Sequence, residues 1–239
     1  DHCPGYGSAA KYIATSIMEI YHDAKVYDKG MVTVLEIMGR NAGWLTAASA
    51  LAAHKGYGPD LIYLPEVPFD LDSFMEEVTR IYAKNNNVIV AVSEGIKDKD
   101  GRYISEYGSD LAKSKDAFGH AQLGGLAATL ANFVKQKTGA KVRGIEFSLL
   151  QRCAAHIGSL TDVNEAYMAG QAAVQNAVQG ITDKMVAFER AEGSEYKCNI
   201  KLVDLTAVAN TEKKVPLEWI TNNGTWVSKE FIDYALPLI

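Results

Sequence analysis

No apolar run in this 239-residue chain is long enough to span a membrane, and no charged-then-apolar leader stands at its start. Lysine and arginine (24) are outnumbered by aspartate and glutamate (29), leaving a formal charge of -5. That balance gives no basic footprint for nucleic acid and no polybasic cluster for a membrane surface, so neither partner is expected. Cysteine is scarce too: Cys3, Cys153 and Cys198 are odd in number and far apart. This argues against a disulfide framework and for a reducing compartment, the cytoplasm by default. The sequon Asn223-Gly224-Thr225 is accordingly read as a turn. There is no internal repeat, low-complexity tract, heptad seam or Gly-x-Ser-x-Gly elbow, and His2, His22 and His120 stand at no nucleophile spacing. Cys153 and His156 are three apart, but with no further Cys/His pair they make no zinc site and are read as structural. His54, at a predicted helix end, is favourable there as a cation without any function.

What is present suits a folded globular chain. Hydrophobic residues make up 48% and charged ones 22%, enough for one large core or two modest ones. Ala10, Ile13, Ala14, Ile17 and Tyr21 fall at helical spacing and predict a helix from about Ser8 to His22. Met31 to Ile37 is a nearly continuous apolar run and predicts a buried parallel strand. Ala42 to His54 reads as one helix of small residues ended by Gly56 and Gly58, and Asp60 to Leu64 as a strand stopped by Pro65 and Pro68. Asp72 is placed to cap a helix that buries Phe74, Val78, Ile81 and Tyr82. A third strand, Val88 to Val92, halts at Ser93-Glu94-Gly95. Lys97 to Lys115 has no apolar period and reads as a surface excursion, and His120 to Lys137 as a helix burying Leu123, Leu126, Leu130 and Val134. Val142 to Phe147 is a fourth strand. From Asp162 a capping-box-like Asp162-Val163-Asn164-Glu165 opens a helix through Val178, followed by strands Met185 to Phe188 and Lys197 to Val203 and a helical tail from Val227 to Leu236. Met18, Met75 and Met168 are read as core. Strands alternating with helices make this α/β with a mainly parallel sheet, divided near Leu150 into residues 1–150 and 151–239.

Met38-Gly39-Arg40-Asn41-Ala42-Gly43-Trp44 organises the chain. A strand that stops at a Gly/Arg turn and restarts as a helix points backbone N–H groups, a positive helix end and a guanidinium at one place, which suits an anion. Its bland alternative is an ordinary turn whose glycines let strand and helix pack, with Trp44 packed beneath it. Parallel strands deliver their carboxyl ends to one edge of the sheet, where Gly39 and Arg40, Glu94, and Gln151 with Arg152 can meet, Arg143 lying within the fourth strand. Guanidiniums grip phosphate oxygens, whereas a carboxylate accepts from sugar hydroxyls. The alternative for Glu94 is a salt bridge to Arg40 or Arg152. Phosphoryl transfer further needs metal carboxylates, a donor cradle and a base, and no Gly-rich donor loop or Asp-rich turn is seen, so this is half a site.

Glu36-Ile37-Met38-Gly39-Arg40-Asn41-Ala42-Gly43-Trp44-Leu45 resembles the Met-Gly-Arg segment of the phosphofructokinase family. Gly5-Tyr6-Gly7-Ser8-Ala9, Ser93-Glu94-Gly95 and Leu150-Gln151-Arg152-Cys153-Ala154-Ala155-His156 match in the family's order and spacing, so the resemblance covers essentially the whole chain. It implies a parallel-sheet, three-layer α/β fold, incomplete at the N-terminus, and phosphorylation of fructose 6-phosphate to fructose 1,6-bisphosphate with Mg²⁺. It implies that Met38, Gly39 and Arg40 hold the sugar phosphate, with Arg40 also a candidate electrostatic stabiliser, that Glu94 takes its hydroxyls, and that Arg152 grips the 6-phosphate. Arg143 would reach that phosphate from a neighbouring subunit, implying a homodimer or homotetramer. The chain departs from many members at Met31, where they carry an Arg for which Lys29 is a nearby substitute, and at Leu149, where they carry a His. The resemblance implies residues 1–150 as the fructose 6-phosphate domain and 151–239 as a C-terminal part with a remnant of the donor side. The donor loop, the Mg²⁺ carboxylate and the catalytic base would lie upstream of Asp1, so the chain opens as if cut from something longer, supplies no metal ligand or base, and is expected to be inactive alone. The style of the turn and of the later chain is nearer the long pyrophosphate-using branch, with ATP as the alternative donor and a non-catalytic regulatory subunit as the alternative role.

Overall fold

The structure is a computed structural model and describes residues 1–26, 28–108, 125–193 and 195–239. Helix α1 (Tyr6–Lys25) leads into strand β1 (Met31–Ile37), then α2 (Trp44–Ala47), α3 (Ala50–His54), β2 (Leu61–Tyr63), α4 (Leu71–Asn85), β3 (Asn87–Ser93), α5 (Leu126–Thr138) and β4 (Val142–Glu146). Beyond these come α6 (Leu160–Val178), β5 (Lys184–Arg190), β6 (Cys198–Asp204), α7 (Leu205–Val208), β7 (Ile220–Thr221), β8 (Trp226–Val227) and α8 (Lys229–Ala235). Among the described residues the main sheet holds four parallel strands in the order β2-β3-β1-β4, while β5-β6 and β7-β8 are antiparallel pairs.

The apolar run at β1 is continuous because both faces of the strand are covered. Leu35 and Ile37 turn to a core shared with α1, α2, α3 and α8, including Ile13, Ile17 and Phe231. Val32 and Val34 turn to a second core with α4 and α5, including Phe74, Val78 and Leu130. Each fully buried aromatic or branched side chain there contributes about 1.5–3 kcal/mol relative to exposure. The result is three layers, helices on sheet on helices. The segment after β1 leaves toward the first core, that after β3 toward the second, and the two strands are neighbours. Their carboxyl ends therefore flank a topological switch point, the place where open parallel sheets form a crevice.

Several sequence expectations shift in detail. The predicted helix over Ala42 to His54 is two short ones, because Ser49, Leu51 and Ala52 bond to carbonyls three residues back, and this tighter ladder breaks the run. Asp70, not Asp72, caps α4, its carboxylate accepting from Ser73 N–H at 2.7 Å. Helix α6 begins at Leu160, two residues before the predicted box, because Ser159 is its cap. Asp162 and Glu165 instead point inward. Asp162 accepts from Gly5 N–H (2.6 Å) and Ser8 N–H (3.0 Å), so α6 supplies the cap that α1 lacks in its own sequence. Glu165 takes His2 Nε2 at 2.6 Å and Tyr196 OH at 2.5 Å, and burial holds the His2 imidazole below its usual pKa. The outward side of α6 is apolar: Leu160 is 74% exposed and Val178 83%, and Met168, expected in the core, is 39% exposed. The segment beginning at Lys97 is not wholly a surface excursion: Lys97 pairs with Tyr103 and Ile104 is buried in the second core. Residues 109–124, and with them His120 and Leu123, lie outside the described residues. The tail starts with the strand β8 before the helix α8. The sequon lies in a turn, with Asn222 and Asn223 both at positive φ.

Candidate functional site

The loop after β1 is tied to two neighbouring strand ends by its first two amides. Met38 N–H donates to Gln151 Oε1 at 3.0 Å, and Gly39 N–H donates to Glu94 Oε1 at 3.2 Å. The Ser93 hydroxyl donates to the Gly39 carbonyl, and Glu94 N–H to the Ile37 carbonyl at 2.9 Å. Gly39 has φ +149°, and a Cβ there would lie 2.7 Å from the Ala42 carbonyl oxygen, so the position demands glycine. Gly95 is closed for another reason: a Cβ would stand 1.9 Å from the Arg40 carbonyl oxygen. The two segments thus lie backbone against backbone. Glu94 is half-buried and pairs with neither Arg40 nor Arg152, its Oε1 being taken by the Gly39 amide. Arg40 is half-buried, with its Nε enclosed and without a hydrogen-bond partner. Arg152 is exposed at the end of the 3-10 turn Ser148–Arg152, which also carries the buried Gln151.

Met38, Gly39, Glu94 and Gln151 therefore meet at one edge of the sheet, with Arg40 and Arg152 on the same segments. Arg143 does not join them within the chain. It pairs in register with Thr33, four residues before Ile37 and so about 13 Å back along the strand at ~3.3 Å per residue, and its guanidinium faces Asp23 at 3.4 Å. The expected positive helix end is also slight. Helix α2 has four residues, and the Gly43 N–H at its start is taken by Glu66 Oε1 at 2.9 Å. A single turn sums few peptide dipoles, which leaves Arg40 and Arg152 as the main attraction for an anion. Trp44 packs beneath the turn, among Tyr6, Trp219, Phe231 and Tyr234, and its Nε1–H donates to the Lys213 carbonyl at 2.7 Å.

Three carboxylates near this edge, Glu36, Glu146 and Glu66, have no role read from the sequence. Glu36 sits inside the apolar run of β1 on the face toward α5, 6% exposed, and accepts from Ala127 N–H at 2.9 Å. Burial pushes its carboxyl up to about 7, with Glu146 and Glu94 adding repulsion and the Ala127 and Leu126 amides opposing the rise. Glu146, its in-register neighbour on β4, accepts from Gly125 N–H at 2.9 Å, so both carboxylates hold the first turn of α5. An acid within an otherwise apolar strand was the available signal. Glu66 follows Pro65 at the end of β2 and has no comparable signal, because its partners lie 23 and 149 residues away.

Among the described residues no group of three or more His, Cys, Asp or Glu side chains is arranged to hold a metal ion. The three cysteines are free, and Cys153 Sγ donates to the Leu149 carbonyl at 3.1 Å while His156 packs edge-on to Tyr12. No described helix is long and apolar enough to cross a membrane.

The chain matches the phosphofructokinase family over residues 1–146. It is 41% identical to the pyrophosphate-fructose 6-phosphate 1-phosphotransferase of Methylococcus capsulatus, with all of this chain aligned to 56% of that protein. The protein of the same name from Halomonas elongata is 40% identical, again over the whole chain and 57% of its own length. A solved pyrophosphate-dependent phosphofructokinase from Marinobacter aquaeolei superimposes with a TM-score of 0.84 at 38% identity, covering 99% of this chain and 55% of that one. The chain thus spans a little over half the length of the relatives it matches.

Proposed function

The chain belongs to the phosphofructokinase family, and from that premise we propose that it supplies the sugar-phosphate half of a pyrophosphate-dependent 6-phosphofructokinase. The observation that carries this reading is the joining of Gly39 to Glu94 and of Met38 to Gln151 across three strand ends, with two arginines on the same segments. In the proposed reaction the 1-hydroxyl oxygen of fructose 6-phosphate attacks one phosphorus of pyrophosphate. A new P–O bond forms, the bridging P–O bond breaks, inorganic phosphate leaves and fructose 1,6-bisphosphate results. The hydroxyl proton passes to a base that is not assigned to this chain. Arg152 grips the 6-phosphate and Glu94 accepts from sugar hydroxyls, while Met38, Gly39 and Arg40 form the wall behind them. Arg40, half-buried with its Nε enclosed and without a partner, is the group proposed to stabilise negative charge developing on the transferred phosphoryl group. Mg²⁺ would neutralise the pyrophosphate oxygens, and the described residues do not fit it, so no step here runs through it. Residues 1–150 form the acceptor part and 151–239 the C-terminal part in this proposal. A homodimer or homotetramer would bring Arg143 of one copy to the phosphate held by the next. The reaction is placed in the cytoplasm, in keeping with the unpaired cysteines.

The test compares turnover by the 239-residue chain and by a full-length enzyme containing it, each with pyrophosphate and with ATP. The chain alone is expected to be inactive and the full-length enzyme to use pyrophosphate. Arg152→Ala and Glu94→Gln in the full-length enzyme should each raise KM for fructose 6-phosphate at least about 10-fold, the loss of one charge-assisted contact. An unchanged KM, or turnover with ATP alone, refutes the assignment.

A further inference from the structure

Arg40 is strung between two glycines, and each glycine is held by a carboxylate. On its near side Gly39 donates to Glu94 (3.2 Å). On its far side Gly43 donates to Glu66 Oε1 (2.9 Å), and the same oxygen accepts from Val215 N–H at 3.0 Å. Val215 is 1% exposed and belongs to the core that also holds Leu64 and Ile62, so the segment it anchors cannot drift. A Cβ on Gly43 would meet Glu66 Oε2 at 2.8 Å, Leu64 Cδ2 at 2.9 Å and Pro65 Cδ at 2.9 Å, so the glycine is enclosed where the carboxylate grips it. Two other hydrogen bonds between these segments, Asn41 Nδ2 to Glu212 Oε1 (2.5 Å) and Trp44 Nε1 to the Lys213 carbonyl (2.7 Å), are exposed to solvent and correspondingly weak, and Lys213 Nζ also lies over the Trp44 ring. Glu66 Oε2 is buried without a hydrogen-bond partner, a cost the fold retains at this one bridging residue.

We propose that Glu66 is a positioning residue for the sugar-phosphate loop: by seating Gly43 and Val215 on one oxygen it fixes the far end of the loop and hence the direction in which Arg40 leaves it. The inference rests on the proposed acceptor role of Arg40 and names the residue that maintains it. Glu66 touches no substrate in this arrangement. Its removal should therefore act through Arg40, on acceptor affinity and on the transfer step together, and be partly restored by glutamine, whose oxygen still accepts both amides.

In the full-length enzyme, Glu66→Ala is expected to raise KM for fructose 6-phosphate about 10-fold and to lower kcat by a similar factor, with KM for pyrophosphate unchanged, and Glu66→Gln to recover most of both losses. On the same ligand-free proteins, amide hydrogen exchange should quicken together at Gly43 and Val215 in Glu66→Ala and stay as in the parent at Gly39, which Glu94 holds. Exchange at Gly43 and Val215 equal to that of the parent overturns the inference, as does an alanine variant whose KM for fructose 6-phosphate is unchanged. Should the parent enzyme show no dependence on fructose 6-phosphate, the functional reading fails, and the exchange experiment still decides whether Glu66 sets the loop.

Discussion

Replacing Glu36 with glutamine tests the electrostatics of the sheet edge directly. A carboxyl that titrates at 4.5 in the unfolded chain and at about 7 in the fold binds its proton more tightly when folded. The stability this represents is fully present below pH 4.5 and is lost as the pH rises through 7. At about 1.4 kcal/mol per pH unit the full cost of ionising Glu36 in place is about 3 kcal/mol, of which about 2–3 kcal/mol falls between pH 5 and 8. Glutamine keeps an oxygen for the Ala127 amide and offers N–H donors toward Glu146 and Glu94, so its contribution does not change with pH. Urea unfolding of parent and Glu36→Gln at half-unit steps from pH 5 to 8 reads the difference. The variant should gain on the parent steadily as pH rises, and at pH 8 it should melt about 5–10 °C higher, at ~2–4 °C per kcal/mol for a chain of this size. Stability curves that run parallel across that range would mean that Glu36 is ionised at little cost, and the account of the crowded carboxylates would be wrong.

Three further outcomes follow from geometry. Gly95→Ala forces a methyl group to within 1.9 Å of the Arg40 carbonyl, where only backbone can give way, and should cost about 3 kcal/mol or prevent folding, as read by thermal unfolding. Arg152→Ala removes an exposed side chain and should leave unfolding within about 0.5 kcal/mol of the parent while weakening fructose 6-phosphate binding by calorimetry, so a large stability loss would point to a structural role instead. Ser159→Ala deletes both the cap of α6, held at 3.3 Å from Asp162 N–H, and a 2.7 Å bond to the Leu238 carbonyl, and should lower stability by about 1–2 kcal/mol in urea titration.

The parts of this molecule that local chemistry controls were legible in the chain itself. Met31 to Ile37 could be read as a doubly covered strand because every one of its residues is buried, and Gly39 and Gly95 stand where backbone meets backbone. The meeting of Gly39, Glu94 and Gln151 was also accessible, since parallel strands leave their carboxyl ends on one edge. Long-range pairings were not accessible. Asp162 looks like a helix-starting acid by its spacing and is instead the cap of a helix 154 residues earlier in the chain, at Ser8. Glu66 resembles any surface acid after a proline until Val215 returns to it from the tail. The break between α2 and α3 had no marker either, for alanine and serine suit a continuous helix as well as two short ones.

Helix α6 reverses the usual guide to safe substitution. Protein engineers commonly alter charged residues on an outer helix and leave its valines and leucines alone, yet here Asp162 and Glu165 are 5% and 4% exposed while Leu160, Val163, Val174 and Val178 face outward. A charge-neutralising library across this helix would strike the residues that fasten the first turn of α1 and the His2 segment, and would score as core damage. Polar replacements at Val163 or Val174 should be neutral within this chain, and they are the positions at which to add solubility without touching the sheet edge that holds Gly39 and Glu94.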